Sequence, residues 1–200
     1  MDGPVRPPLW LVLDACVLMS SILRPLFLDL AQSGWFRPVW SERIGLEWRR
    51  NAARVWKVAP AVLDEEWAAM TRRFPEADAG DVSAYEAGLR YSDPKDRHVI
   101  AAGLASRARA ALAVRPEVCV LTWNLKDFNR AELRRQDICV RDPDRQLAAW
   151  ADDDRPGLAQ ALRRLPRYAR VLGREESPAA ILRRERLFRT NRLLAGDIDS

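Results

Sequence analysis

Histidine is almost absent: His98 stands alone in 200 residues. Zinc sites draw on cysteine and histidine, so this scarcity argues against zinc and against a histidine-based triad. Cysteine is sparse too. Cys16, Cys119 and Cys139 form no C-x-x-C pair, and their apolar surroundings read as reduced, buried thiols. No segment approaches the ~20 apolar residues of a membrane span. The opening MDGPVRPP has no apolar core after a basic start, and the LWLVL that follows is too short to supply one. The expectation is a soluble cytoplasmic protein with no signal peptide and no membrane partner.

Lysine occurs only at positions 57, 95 and 126, so 30 of the 33 basic residues are arginine, in a chain of net charge +5. Arginine forks suit phosphate, although Arg-rich solvated faces account for the same composition. With 48% hydrophobic residues, the chain can bury one sizeable core with a small appendage. A metal in such a chain should be a hard ion held by carboxylate oxygen.

Leu9–Leu13 is a short apolar run ending at Asp14, the pattern of a buried parallel strand. A helix is expected over 17–33, stopped by Gly34, and then a short link through Pro38. Ser41 makes an N-cap for a helix to about Lys57, and Pro60 opens another through about Phe74. Residues 75–80 read as a loop, 81–91 as helix, and Asp93-Pro94 as the start of the next helix. Residues 118–122 and 138–140 are two more buried strands with a short helix between them. Alternating strands and helices predict an α/β fold with a parallel sheet. The texture changes near Trp150, which divides the chain into a main domain over 1–150 and an Arg-rich helical extension over 151–200. ADDDRPG reads as a linker or as the fraying end of a helix, and helices are expected near 157–172 and 177–194.

Ligands in parallel α/β sheets gather at the carboxyl ends of strands. Asp14 ends the first strand, and Thr122, Asn124 and Asp127 follow the second. Asp93 and Asp96 lie at a helix start, and Glu47 interrupts the apolar stretch IGLEW. Each has a plain structural reading: Asp14 as a cap, Asp93-Pro-Lys-Asp96 as a capping sequence, Glu47 as a solvated ion-pair partner, Asn124 and Asp127 as turn formers. Together they are hard to explain as independent caps.

The segments LVLDACVL, PVWSERIGLEWRRN, SDPKDRHVIAAG and VLTWNLKDF resemble those of the PIN domains, most closely the VapC-type toxins, over roughly residues 9–145. The resemblance implies a three-layer fold, a parallel sheet flanked by helices, with an acidic site at one end of the sheet. It implies a Mg²⁺- or Mn²⁺-dependent ribonuclease acting on RNA, a cognate antitoxin as partner, and a homodimer. Asp14, Glu47 and Asp96 match the three core acids, Asp93 an accessory acid, Thr122 a hydroxyl position, and Asn124 a position held by Asp or Asn. Asp127 is an alternative fourth acid, so Asp14, Glu47, Asp96, Asp93 and Asp127 are the candidate metal ligands. Thr122 and Arg97 are candidate substrate contacts, Arg97 through phosphate.

Crowded carboxylates repel, so without metal one of them should titrate upward. Two other readings stay open. A phosphatase built on a strand-end aspartate needs a second acid two residues on, where this chain has Cys16. A catalytically silent RNA- or protein-binding module is the other, motivated by Asn124.

Overall fold

The computed structural model describes residues 8–110 and 116–198. The expectation about the first residues lies outside that range. Four strands, β1 (Leu9–Leu13), β2 (Arg37–Val39), β3 (Glu117–Leu121) and β4 (Ile138–Arg141), form one parallel sheet in the order β2-β1-β3-β4. Leu11 pairs with Pro38 on one side and Cys119 on the other, and Cys119 pairs with Cys139. The chain is thus an α/β protein with a parallel sheet flanked by helices, as expected. Among the described residues, no helix is long and apolar enough to cross a membrane.

The helices are α1 (Ala15–Leu18), α2 (Leu23–Gln32), α3 (Glu42–Trp56), α4 (Pro60–Arg73), α5 (Ser83–Glu86), α6 (Arg97–Arg109) and α7 (Arg130–Arg135). They continue with α8 (Pro143–Asp153), α9 (Arg155–Leu162), α10 (Leu165–Val171), α11 (Pro178–Arg184) and α12 (Phe188–Ile198). Local chemistry sets most of these starts. Ser41 caps α3 through Ile44 N–H, Asp142 caps α8, Asp154 caps α9 and Ser177 caps α11. The last three precede a proline within the first turn, where its missing N–H costs nothing.

Several expected boundaries move. The helix expected over 17–33 is broken because the Ser20 hydroxyl accepts from Ile22 N–H and Leu23 N–H, taking backbone donors into a turn. The link through Pro38 is in fact β2, an edge strand that tolerates a residue without an N–H. Helix over 81–91 shrinks to α5. The Asp93-Pro94 segment is a turn, and α6 begins at Arg97. The two C-terminal helices are four, with breaks near Arg163–Arg164 and at Arg186, whose φ is +62°.

Alternation along the strands sends Trp10, Val12, Val118, Val120 and Ile138 to one face, and α6 packs there. A Cβ on Gly103 of α6 would stand 2.9 Å from Val118 Cγ1 and 3.2 Å from Val12 Cγ2. The glycine lets the helix lie close on the sheet, with its first turn at the carboxyl end of β1. In the opposite layer Phe27, Phe36 and Trp150 pack together, with Phe36 and Trp150 stacked at 5.5 Å. Position 150 therefore lies inside α8, which packs on α12 and α9. The extension is pinned back on the rest of the chain. Asp144 accepts from Arg189 N–H, Thr190 N–H and the Thr190 hydroxyl. Ser20 donates to Glu185 at 2.7 Å and Tyr168 to Asp29 at 2.5 Å.

The cysteine expectation needs correction. Cys119 and Cys139 are joined in a disulfide, and only Cys16 is free. Their separation of 20 residues carries no local signature, and it is the strand register that sets the two side by side.

Gly45 of α3 is packed still more tightly: a Cβ there would fall 2.4 Å from the Trp67 ring. Gly45→Ala is expected to lower stability by about 1–3 kcal/mol through overpacking, against a helix-propensity gain of at most ~1 kcal/mol. Urea unfolding of the two proteins measures the difference.

Candidate functional site

Asp14 occupies the cap position of α1, yet its side chain caps nothing. It is 2% exposed, and Oδ2 accepts from the Thr122 hydroxyl at 2.6 Å and the Cys16 thiol at 3.1 Å. Burial pushes the Asp14 carboxyl upward, opposed by those two hydrogen bonds and raised again by Glu47. A helix cap would leave the carboxylate on its own first turn. This one is aimed at the next strand, and Asp14 N–H donates to Leu121 O at 3.2 Å.

Asp96 repeats the pattern at the start of α6: a cap position with no side-chain cap bond. Its carboxyl is pushed up to about 6, first by burial and then by Asp14, Asp127, Glu47 and Asp93. The other four acids predicted from the sequence thus all act on Asp96, whose carboxyl is raised, the direction expected for one of a crowded set. Asp93 accepts from Lys95 N–H through Oδ1, and its own N–H donates to Asp127 O at 2.8 Å. This ties the 93–96 turn to the loop after β3. Glu47 lies on α3 with Oε2 3.3 Å from His98 Nε2. No Arg or Lys ion pair to any of the five acids occurs among the described residues.

Thr122 and Arg97, read as substrate contacts, are engaged elsewhere. Thr122 is fully buried. Its hydroxyl donates to Asp14 and accepts from Asn124 N–H at 3.0 Å, so it holds the acid and the loop. The Arg97 guanidinium donates to the carbonyls of Ser92 and Arg90 and braces the approach to α6. Asn124 is exposed at the mouth of the site. Cys16, whose thiol burial pushes upward, accepts from Trp123 N–H and donates to Asp14. His98 is 2% exposed and neither ring nitrogen is hydrogen-bonded, the approach to Glu47 being misaligned.

Sequence reasoning missed Glu132. It lies three residues after Asn129, which caps α7 by accepting from Glu132 N–H, and that spacing reads as a capping box. The carboxylate instead turns to the segment before the acidic turn, accepting from Arg90 N–H at 2.6 Å, Tyr91 N–H at 3.0 Å and Ser92 N–H at 2.8 Å. Burial alone would raise it, but these bonds pull it down to about 2.

The donors gathered here are oxygen apart from His98, which fits a hard divalent cation. Among the described residues no three His, Cys, Asp or Glu side chains stand close enough to ligate one ion together. Such a set can hold a hard cation only with water completing its shell. Comparison with protein-family models, with curated proteins and with solved structures finds no match in any of the three.

Two opposed pH dependences follow. Asp96 has a folded pKa of about 6 against the ordinary 3.8, so folding favours its protonated form, and stability falls as pH rises through that interval. Glu132 is held at about 2 against 4.5, so its contribution is complete above 4.5 and lost as pH falls toward 2. In chelator, Asp96→Asn should flatten the decline between pH 4 and 6 and leave the protein more stable than wild type at pH 7. Glu132→Ala should cost about 3 kcal/mol or more by stranding three backbone donors. Denaturant titrations across pH check both.

Proposed function

We propose that the protein is a metal-dependent endoribonuclease of the PIN type, acting as the toxin of a toxin–antitoxin pair. The observation that carries this reading is the Asp96 carboxyl pushed up to about 6 by burial and by acids from separate segments of the chain, with no Arg or Lys ion pair to these acids among the described residues. Such a concentration of negative charge at the carboxyl end of a parallel sheet costs stability, and a function that uses a cation accounts for it.

Phosphodiester cleavage needs a nucleophile at neutral pH and relief of negative charge on the phosphate. A divalent cation held by Asp14, Glu47 and Asp96 through water would supply both, as Lewis acid and as a source of acidified water. The protein contributes orientation. Thr122 and Cys16 fix the Asp14 carboxylate, and the hydrogen bond from Asp93 N–H to Asp127 O holds the two acidic loops together. Asn124 places an uncharged donor and acceptor at the mouth, where a fourth carboxylate would repel the phosphate. An antitoxin that lays an arginine over the acids, and a homodimer, belong to the same proposal.

The catalytically silent binding module is favoured by one fact: the acids do not reach a common point for direct ligation. The phosphatase reading is weaker, because position 16 carries a thiol that is itself bonded to Asp14.

The purified chain should cleave structured RNA with Mg²⁺ or Mn²⁺. Asp14→Asn and Asp96→Asn should each lose about a hundredfold or more in rate while keeping the wild-type circular dichroism spectrum. Undiminished cleavage by both variants refutes the nuclease reading. Mn²⁺ binding no tighter in wild type than in Asp14→Ala favours the silent module.

A further inference from the structure

The open edge of the sheet is β4, and a groove of about 470 Å³ runs along it. It is lined by apolar Leu133, Ile138, Cys139 and Val140 and by Arg130 and Arg134 of α7, Arg141 of β4 and Arg145 of α8. No acid lines it. Arg141 is steadied by Glu117 at 3.2 Å and Gln146 at 3.1 Å, and Arg145 by Asp142 at 3.3 Å. Arg130 and Arg134 are exposed and make no ion pair among the described residues.

An exposed edge strand invites pairing with other chains, and charged flanks discourage it. That defence needs interrupting charge of either sign. Arg141 and Arg145 are offset by Glu117 and Asp142, so the excess positive charge of the groove is that of Arg130 and Arg134, whose guanidinium forks match phosphate oxygens.

The groove also starts at the acidic site. Arg130 is three residues beyond Asp127, and Arg141 ends β4 with its carbonyl accepting from Thr122 N–H at 3.0 Å. Thr122 in turn holds Asp14. The carboxyl end of β4 thus lies one strand from the exit of β3 and two from that of β1, where Asp14 sits, while the Arg141 guanidinium turns back to Glu117 at the start of β3.

We infer that the β4 groove binds the phosphate backbone of single-stranded RNA and feeds it toward Asp14. This rests on the ribonuclease reading and adds the path of the substrate. Half-exposed Cys139 and Val140 leave an apolar floor against which unstacked bases can lie.

The test uses the full chain carrying Asp14→Asn, which should bind without cutting, and a fluorescein-labelled 20-nucleotide single-stranded RNA followed by anisotropy. Adding Arg130→Ala and Arg134→Ala should weaken binding about tenfold at 0.1 M salt and lower the slope of log K against log salt by about 1.4, the loss of two phosphate contacts. Arg170→Ala with Arg174→Ala, in α10 and in the segment after it and outside the groove lining, should leave both unchanged. The corresponding lysine replacements at 130 and 134 should retain the slope, which separates charge from any loss of fold. Equal affinity and slope in the groove variant overturn the groove while leaving the nuclease reading in place. An Asp14→Asn parent that binds no RNA at low salt overturns both. Tighter binding of an acidic peptide of equal charge than of RNA assigns the groove to a protein partner and overturns the inference.

Discussion

An ionised carboxylate taken out of water is tolerated only where its lone pairs are met. Asp14 is buried at the end of the central strand β1, and the groups that meet it come from β3's exit and from the first turn of α1. This arrangement constrains everything near it. Thr122 must follow β3 in register with Asp14, which fixes the pairing of β1 with β3. Its hydroxyl, already committed as a donor, accepts from Asn124 N–H and so sets the course of the next loop. That loop offers the Asp127 carbonyl to Asp93 N–H and places the 93–96 turn beside Asp14. One buried carboxylate thus organises the two loops that carry the other acids.

The site is held by groups that gain from folding and populated by groups that lose. Glu132 is bound by three backbone donors and stabilises the native state. Directly downstream, Asp96 is raised by four other acids and destabilises it. The 90–96 segment joins the two, so hydrogen bonds at one end hold repelling charges in place at the other. Arg97 braces the same segment from below through the carbonyls of Ser92 and Arg90. Attraction at one end of the segment thus maintains repulsion at the other.

Much of this was legible in the sequence where one residue type has one dominant use. The apolar run 9–13, the Ser41 cap and Pro60 were readable because strand burial, hydroxyl capping and proline at a helix start are local effects. The acids Asp14, Glu47 and Asp96 were readable as a set, since several charges in apolar or strand-end contexts ask for a common cause. What the sequence hid depends on partners distant along the chain. Glu132 looks like half of a capping box, and only the fold shows its carboxylate serving residues 40 or more positions away. Cys119 and Cys139 have no spacing signature, and the β3–β4 register alone brings them together. Pro38 argued against a strand because the edge position that excuses it is a property of the sheet. Thr122 was found, but as a substrate contact, because its place under Asp14 depends on the pairing of β1 and β3.

The C-terminal helices show the same division between local and distant causes. Their starts follow from Asp142-Pro143, Asp154 and Ser177-Pro178, which any reading of caps can recover. Their attachment does not. Asp144 faces inward and caps α12 from α8, giving its carboxylate three donors from Arg189 and Thr190, while Trp150 packs between Phe27 and Phe36. The change of composition near Trp150 is therefore a change of surface chemistry, from the apolar layers around the sheet to Arg-rich helices facing solvent. It is not a break in packing, because α8 crosses it with its aromatic side chain in the core.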